Sequence, residues 1–229
     1  MKEVTVVVCG FDKERILYKG FNYFWNKYWP DCPWPVKYMV NRIPVPFGES
    51  LFCGPSDNWV MMMRGALNQI ETQTMLFMLA DYWLAYPVDT AALDQFSNYL
   101  PQFDIAHIRL QRSDPATQHA LMPFEPDPRF FIFGRDAPYR ISLQASFYQR
   151  DVFRNLLRNA DSPWNFETNN SVYANYLNCL CLDSTATAEQ WNHQAYLCYH
   201  NIVSMGQWRG RPVDDSREAE VDRFIAENG

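Results

Sequence analysis

The amino-acid sequence predicts a single α/β domain in which a mixed, mainly parallel central sheet is flanked by helices. Two uninterrupted apolar runs carry most of that reading, Val4-Thr5-Val6-Val7-Val8-Cys9 and Thr74-Met75-Leu76-Phe77-Met78-Leu79. Strands covered on both faces, as in parallel sheets, have this character. Segments of helical spacing separate and follow them, so strand and helix alternate over the first 110 residues. The chain has 229 residues, of which 48% are hydrophobic and 16% aromatic, enough for one large domain with a substantial core.

Taken in order, the run at 4–9 is a first strand, and Phe11, Ile16, Leu17 and Phe21 begin the helix that follows. A Pro-bounded connection leads to a second strand at 36–40, and Pro44, Pro46, Gly48, Gly54 and Pro55 then mark a long loop. Trp59, Met62, Met63, Ala66, Leu67 and Ile70 form the apolar stripe of a helix, with Ser56 or Asp57 available as its N-cap. The strand at 74–79 runs straight into Asp81-Tyr82-Trp83, so an acid is delivered at the carboxyl end of a sheet strand, where ligands of α/β sheets gather. Asp89 or Thr90 caps a helix carrying Leu93, Phe96 and Leu100, and 105–110 alternates like a half-buried strand. From 111 to 128 four prolines make a long loop, and a hairpin is expected between 129–133 and 139–143. Phe153, Leu156 and Leu157 indicate a short helix that ends at Pro163, 179–182 a further strand, and Val221, Phe224 and Ile225 a terminal helix.

Composition narrows the function. A net charge of −6 lacks the cationic footprint that a dedicated nucleic-acid binder needs. No apolar run approaches the about 20 residues of a membrane span, and the opening strand is too short for a secretory signal. On that ground a cytoplasmic protein with reduced thiols is expected, and its six cysteines, with no C-x-x-C pair, lack zinc-ribbon spacing. Nucleophile-elbow, phosphate-loop, zinc-protease and dinucleotide-binding motifs are all absent, and only four histidines are present. Carboxylates and aromatic residues remain to carry chemistry.

Three segments, in order, resemble bacterial glycosyltransferases of the GT-A fold, a group linked to polysaccharide and lipopolysaccharide assembly. They are Gly10-Phe11-Asp12-Lys13 with Tyr28-Trp29-Pro30-Asp31-Cys32-Pro33-Trp34-Pro35-Val36, then the helix from Trp59 leading to Leu79-Ala80-Asp81-Tyr82-Trp83-Leu84, and last Tyr139-Arg140-Ile141-Ser142-Leu143-Gln144-Ala145-Ser146-Phe147-Tyr148 through Ser162-Pro163-Trp164-Asn165-Phe166-Glu167. The resemblance implies a GT-A-like, Rossmann-like domain, with residues 1–110 binding a nucleotide sugar and 111–229, including the hairpin and terminal helix, binding the acceptor. It implies a nucleotide diphosphate sugar donor and a glycan or lipid-linked acceptor, with peripheral membrane contact open to it.

On this reading Asp12, Lys13, Arg64 and Asp81 hold the donor, and Trp164 and Tyr82 lie against the acceptor. A leaving diphosphate gains negative charge, which a divalent cation (Mn or Mg) held by Asp81 and His200 would neutralise. Family members carry a pair of acids at the strand end, and here Ala80 takes the first position. Without a metal, Arg64 or Lys13 would serve. Glu167 would take the acceptor's proton, implying inversion at the anomeric carbon. Local readings stay open beside these: Asp81 as a turn cap, Asp12 as a helix N-cap, Glu167 as an acid favoured by a helix dipole, and His200 as a structural histidine. Rival functions are a sugar-1-phosphate nucleotidyltransferase, a Cys53 nucleophile with His107 as base, and a non-catalytic carbohydrate- or nucleotide-binding protein.

Overall fold

The computed structural model describes residues 4–111, 122–182, 196–204, 207–208 and 215–228. Strands β1 (Val4–Cys9), β2 (Val36–Val40), β3 (Glu49–Phe52) and β4 (Thr74–Leu79) run parallel in the order β3-β2-β1-β4. Flanked on both sides, β1 is buried at every residue, which is why its sequence has no polar alternation. β3 lies within the segment expected to be loop. As an edge strand it pairs on one side only and leaves Glu49 and Phe52 in solvent, so no apolar run announces it.

After β4 come the short β5 (Tyr82–Leu84) and then β6 (Ile105–Arg109), β7 (Met122–Pro123), β8 (Phe130–Ile132), β9 (Ser146–Gln149) and β10 (Asn178–Leu182), which complete a nine-stranded sheet ordered β3-β2-β1-β4-β9-β6-β10-β8-β7 without β5. β9 is antiparallel to both β4 and β6, and so joins the first four parallel strands to the parallel pair β6 and β10. With neighbours on both edges β6 is buried on both faces, His107 included, rather than half-buried as its alternation suggests.

The expected hairpin does not form. β8 pairs with β10 and β7, and residues 139–143 make no strand. The segment instead sinks Ile141 and Leu143 into the core, and Arg140 beside them is 1% exposed, its guanidinium donating to the carbonyls of Gly134 (3.1 Å), Arg135 (2.9 Å) and Leu177 (2.5 Å). Burying that cation is tolerable because carbonyl oxygens take its donors.

Helices cover both faces. On one face α1 (Arg15–Tyr28) packs Leu17, Phe21 and Phe24 with Val6, Val8, Trp83 and Phe96, the last from the helix at 90–102. The other face carries α2 (Trp59–Leu67), whose N-cap is Asn58, accepting from Met61 N at 3.0 Å, rather than Ser56 or Asp57. α3 (Thr90–Gln102) is capped by Asp89, as expected. α4 (Arg150–Leu156) and α5 (Pro163–Tyr173) join α2, and Pro163 opens α5 at its first turn, behind the Ser162 cap, where a missing N–H costs nothing. α6 (Asp215–Asn228) sets Val221 and Phe224 against α1. Part of the proline-rich loop, residues 112–121, lies outside the described residues. Among the described residues no helix is long and apolar enough to cross a membrane.

Candidate functional site

The carboxyl ends of β1, β4 and β6 meet at one crest of the sheet, the end at which such sheets bind ligands. Beyond β4 the chain stays bonded to β1 through Ala80 N and Cys9 O (2.8 Å), then turns at Asp81. Ala80 is 2% exposed, and a Cβ on Gly10 would lie 3.0 Å from the Ala80 Cβ. The position that lacks the expected acid therefore faces the core beneath Tyr18. Asp81 is half-buried, and burial, reinforced by the charge of Glu14, pushes its carboxyl up to about 6. Glu14, in the turn after β1, is also raised by burial.

A strand from the far end of the sequence completes this corner. β11 (Tyr199–Asn201) pairs antiparallel with β5, His200 opposite Trp83 and Asn201 opposite Tyr82, and Ile202 N donates to Asp81 O at 2.9 Å. With its amide oriented to satisfy both neighbours, Asn201 donates to Asp81 Oδ2 (3.0 Å) and to Val203 O (2.7 Å). The backbone of His200 thus lies close to Asp81, while its side chain is outside the described residues. Asn201 is the partner that sequence reasoning missed, since nothing local links residue 201 to residue 81.

The other expected donor residues are placed differently. Asp12 accepts from the backbone of Asn41 (2.9 Å), Arg42 (2.8 Å) and Ile43 (2.9 Å), and its own N–H donates to Asn41 Oδ1 (3.1 Å). Its carboxylate is spent on locking the loop after β2 to the end of β1, rather than turned toward a ribose. Lys13 is exposed and lies over the Phe11 ring, 5.1 Å from the centroid. Arg64 is on the solvent face of α2.

Glu167 approaches the crest from α5. Its Oε1 accepts from Ser142 Oγ (3.0 Å) and Leu143 N (2.7 Å), and its Oε2 has no hydrogen-bond partner among the described residues. Ser142 is fixed in turn by Tyr148, whose hydroxyl donates to its carbonyl at 2.5 Å. Trp164, at the start of α5, is 72% exposed. Tyr82 is only 3% exposed and stacks on Tyr199, ring centroids 4.3 Å apart, so its ring face is occupied by protein rather than open to an acceptor. Burial holds the Tyr82 phenol well above its ordinary value, and the charges of Tyr199, Asp81 and Glu167 add to that, while Arg109 opposes them. Asp81 and Glu167 therefore act on one buried ring from two separate elements. Arg109, the last residue of β6, also stabilises the charged forms of Tyr148 and Tyr199, so a cation stands among these groups. The sequence places it inside the alternating segment 105–110 and gives it no role.

A Cys53–His107 pair is not assembled. Cys53 follows β3 and His107 is on β6, five strand spacings away, about 24 Å at about 4.8 Å each. Burial pushes the Cys53 thiol up to about 11 and the His107 imidazole down to about 3, the opposite of an activated pair.

No protein-family model matches the chain, and no curated protein matches it. Solved structures do. UDP-glucose pyrophosphorylase complexed with UDP-glucose is 7% identical with a TM-score of 0.50, over 80% of this chain and 90% of that one. TarS 1–349 from S. aureus is 14% identical with a TM-score of 0.49, and the match spans 80% of this chain but 59% of the TarS chain. The galactosyltransferase LgtC in complex with donor and acceptor sugar analogs is 8% identical with a TM-score of 0.46, over 97% and 94%. At such identities the likeness is one of fold.

Proposed function

We propose that the protein is a glycosyltransferase that moves a sugar from a nucleoside diphosphate sugar to a hydroxyl of a glycan or glycolipid. The observation that carries this reading is that Asp81, just past the carboxyl end of β4, and Glu167, bonded to Ser142 and Leu143 just before β9, come to one crest of the sheet, where the buried Tyr82 feels the charges of both and of Arg109. UDP-glucose, named with the structurally similar pyrophosphorylase, belongs to the donor class that this reading needs.

In the proposed reaction Glu167 Oε2 takes the proton of the acceptor hydroxyl as that oxygen bonds to the anomeric carbon. The bond from that carbon to the phosphate oxygen breaks, and its electron pair leaves with the diphosphate on the opposite face, which inverts the configuration. Ser142 and Leu143 hold the other carboxylate oxygen, so Glu167 meets the acceptor already oriented. Arg109 sets a positive field where the diphosphate charge grows. Among the described residues no three acidic, histidine or cysteine side chains converge to cage a metal. Asp81 fits the open arrangement in which a single carboxylate and the substrate phosphates share the ion. A Mn or Mg ion bound there would neutralise the leaving group.

Transfer to a saccharide acceptor, measured with Glu167→Gln, tests the reading. Glutamine keeps an oxygen for Ser142 and Leu143 but accepts no proton, so kcat should fall by about 10²–10⁴ with nucleotide binding retained. Undiminished transfer would remove Glu167 as the base. Nucleotide binding without transfer by the unaltered protein would favour the non-catalytic binding reading, for which the buried Ala80 speaks.

A further inference from the structure

Below Glu167, α5 forms one wall of a groove that the transfer step does not use. Thr168 and Val172 line that wall, with Asn175 just past its end, and Arg135, Asp136 and Tyr139 line the other, around a cavity of about 390 Å³. That is the scale of small-molecule sites. The groove begins one residue past Glu167, follows α5 from Thr168 to Val172, about 6 Å at about 1.5 Å per residue, and reaches Asn175 beyond the end of the helix.

The lining says what would fit. Tyr139 has φ +53°, a left-handed backbone that a bulky side chain rarely adopts, and its ring is 48% exposed. Strain kept at an exposed ring points to a use for that ring. The segment is held in place from below by Arg140, through its bonds to Gly134, Arg135 and Leu177. Val172, on the α5 wall, is 69% exposed. Charged and amide groups alternate with these apolar surfaces. A protein partner selects an apolar core depleted of charge, and an anionic membrane surface selects a cationic patch. This groove carries one charge of each sign beside the open ring of Tyr139, the pattern suited to pyranoses, whose C–H faces lie on aromatic rings while their hydroxyls bond polar side chains.

We propose that the groove is a saccharide subsite, holding the sugar units of a glycan acceptor that lie beyond the unit presented to Glu167. Its identity as an acceptor subsite rests on the transferase reading. The test uses the full chain and the variant Tyr139→Gly, which removes the ring and suits the left-handed backbone, so the fold should survive. Both proteins are applied to printed arrays of bacterial and eukaryotic glycans, and the best-bound oligosaccharide and its terminal monosaccharide are then titrated by calorimetry. UDP, GDP, CDP and dTDP are titrated in parallel. The expected result is oligosaccharide binding at least tenfold weaker in Tyr139→Gly, with monosaccharide and nucleotide binding unchanged. Equal oligosaccharide binding by the two proteins overturns the proposal. Nucleotide binding without binding of any arrayed glycan also overturns it, and leaves the transferase reading standing. Tyr139-dependent glycan binding with no nucleotide binding overturns the transferase reading, and with it the assignment of the glycan as acceptor.

Discussion

The indole of Trp83 occupies the space that a side chain at Gly20 would need. A Cβ at Gly20 would lie 2.0 Å from Trp83 Cζ2, and the indole N–H is held by the carbonyls of Leu17 and Ala80, both at 3.1 Å. α1 can lie this low only because its middle residue has no side chain, and so β5 and the Asp81 corner are pinned to the first helix.

Gly20→Ala should therefore destabilise the fold despite alanine's better helix propensity, which is worth about 1 kcal/mol. Overpacking costs about 1–3 kcal/mol and wins. Urea unfolding should show a lower midpoint, and Trp83→Phe, which shrinks the ring system, should make the double variant less unstable than the sum of the two singles. Simple additivity would separate the two sites.

Asp81→Asn should make stability less sensitive to pH between about 4 and 7. The Asp81 carboxyl is raised by burial from 3.8 to about 6. Its neutral form is favoured on folding, so that contribution is fully present below the unfolded value and is lost as pH rises through the folded one. Melting temperatures taken at pH 4.5 and 8 should show the variant gaining on the parent at the higher pH, since asparagine stays neutral and still accepts from Asn201. An equal difference at both values would place the cause elsewhere.

Ser142→Ala should lower kcat about ten- to hundredfold, the effect of one lost hydrogen bond to a charged group, with the KM for donor unchanged. Ser142 touches neither substrate in the proposed reaction and acts by orienting Glu167. A matching rise in KM would instead mean that the crest itself had been disturbed.

Much of this fold can be read from the sequence because burial writes itself into composition. β1 and β4 are buried on both faces and read as continuous apolar runs, and α2 shows its apolar stripe. β3 could not be read, because an edge strand has solvent on one side and Glu49 and Phe52 face it. Residues 139–143 misled for a different reason: their alternation resembles a strand, yet the burial of Arg140 is settled by carbonyls at 134, 135 and 177, which no local pattern reveals. In the site, Asp81 and Glu167 were legible as acids set beside aromatic residues. Asn201 and Arg109 were not, since their relation to those acids arises only when β11 and β6 are laid against distant strands. Asp12 looked like a ligand-binding acid because its sequence shows a carboxylate after a strand and hides the three amides that claim it.

The reversed strand β9 also dictates an order of assembly. Until residues 146–149 leave the ribosome, the edge of β4 has no partner, and β6, already made, has no strand connecting it to β4. A nascent chain stalled near residue 110 would hold an apolar strand with a bare edge, the kind of surface that pairs with other chains. This protein should therefore depend on chaperone shielding late in its synthesis, and a truncated N-terminal half should aggregate rather than serve as a separable nucleotide-binding module.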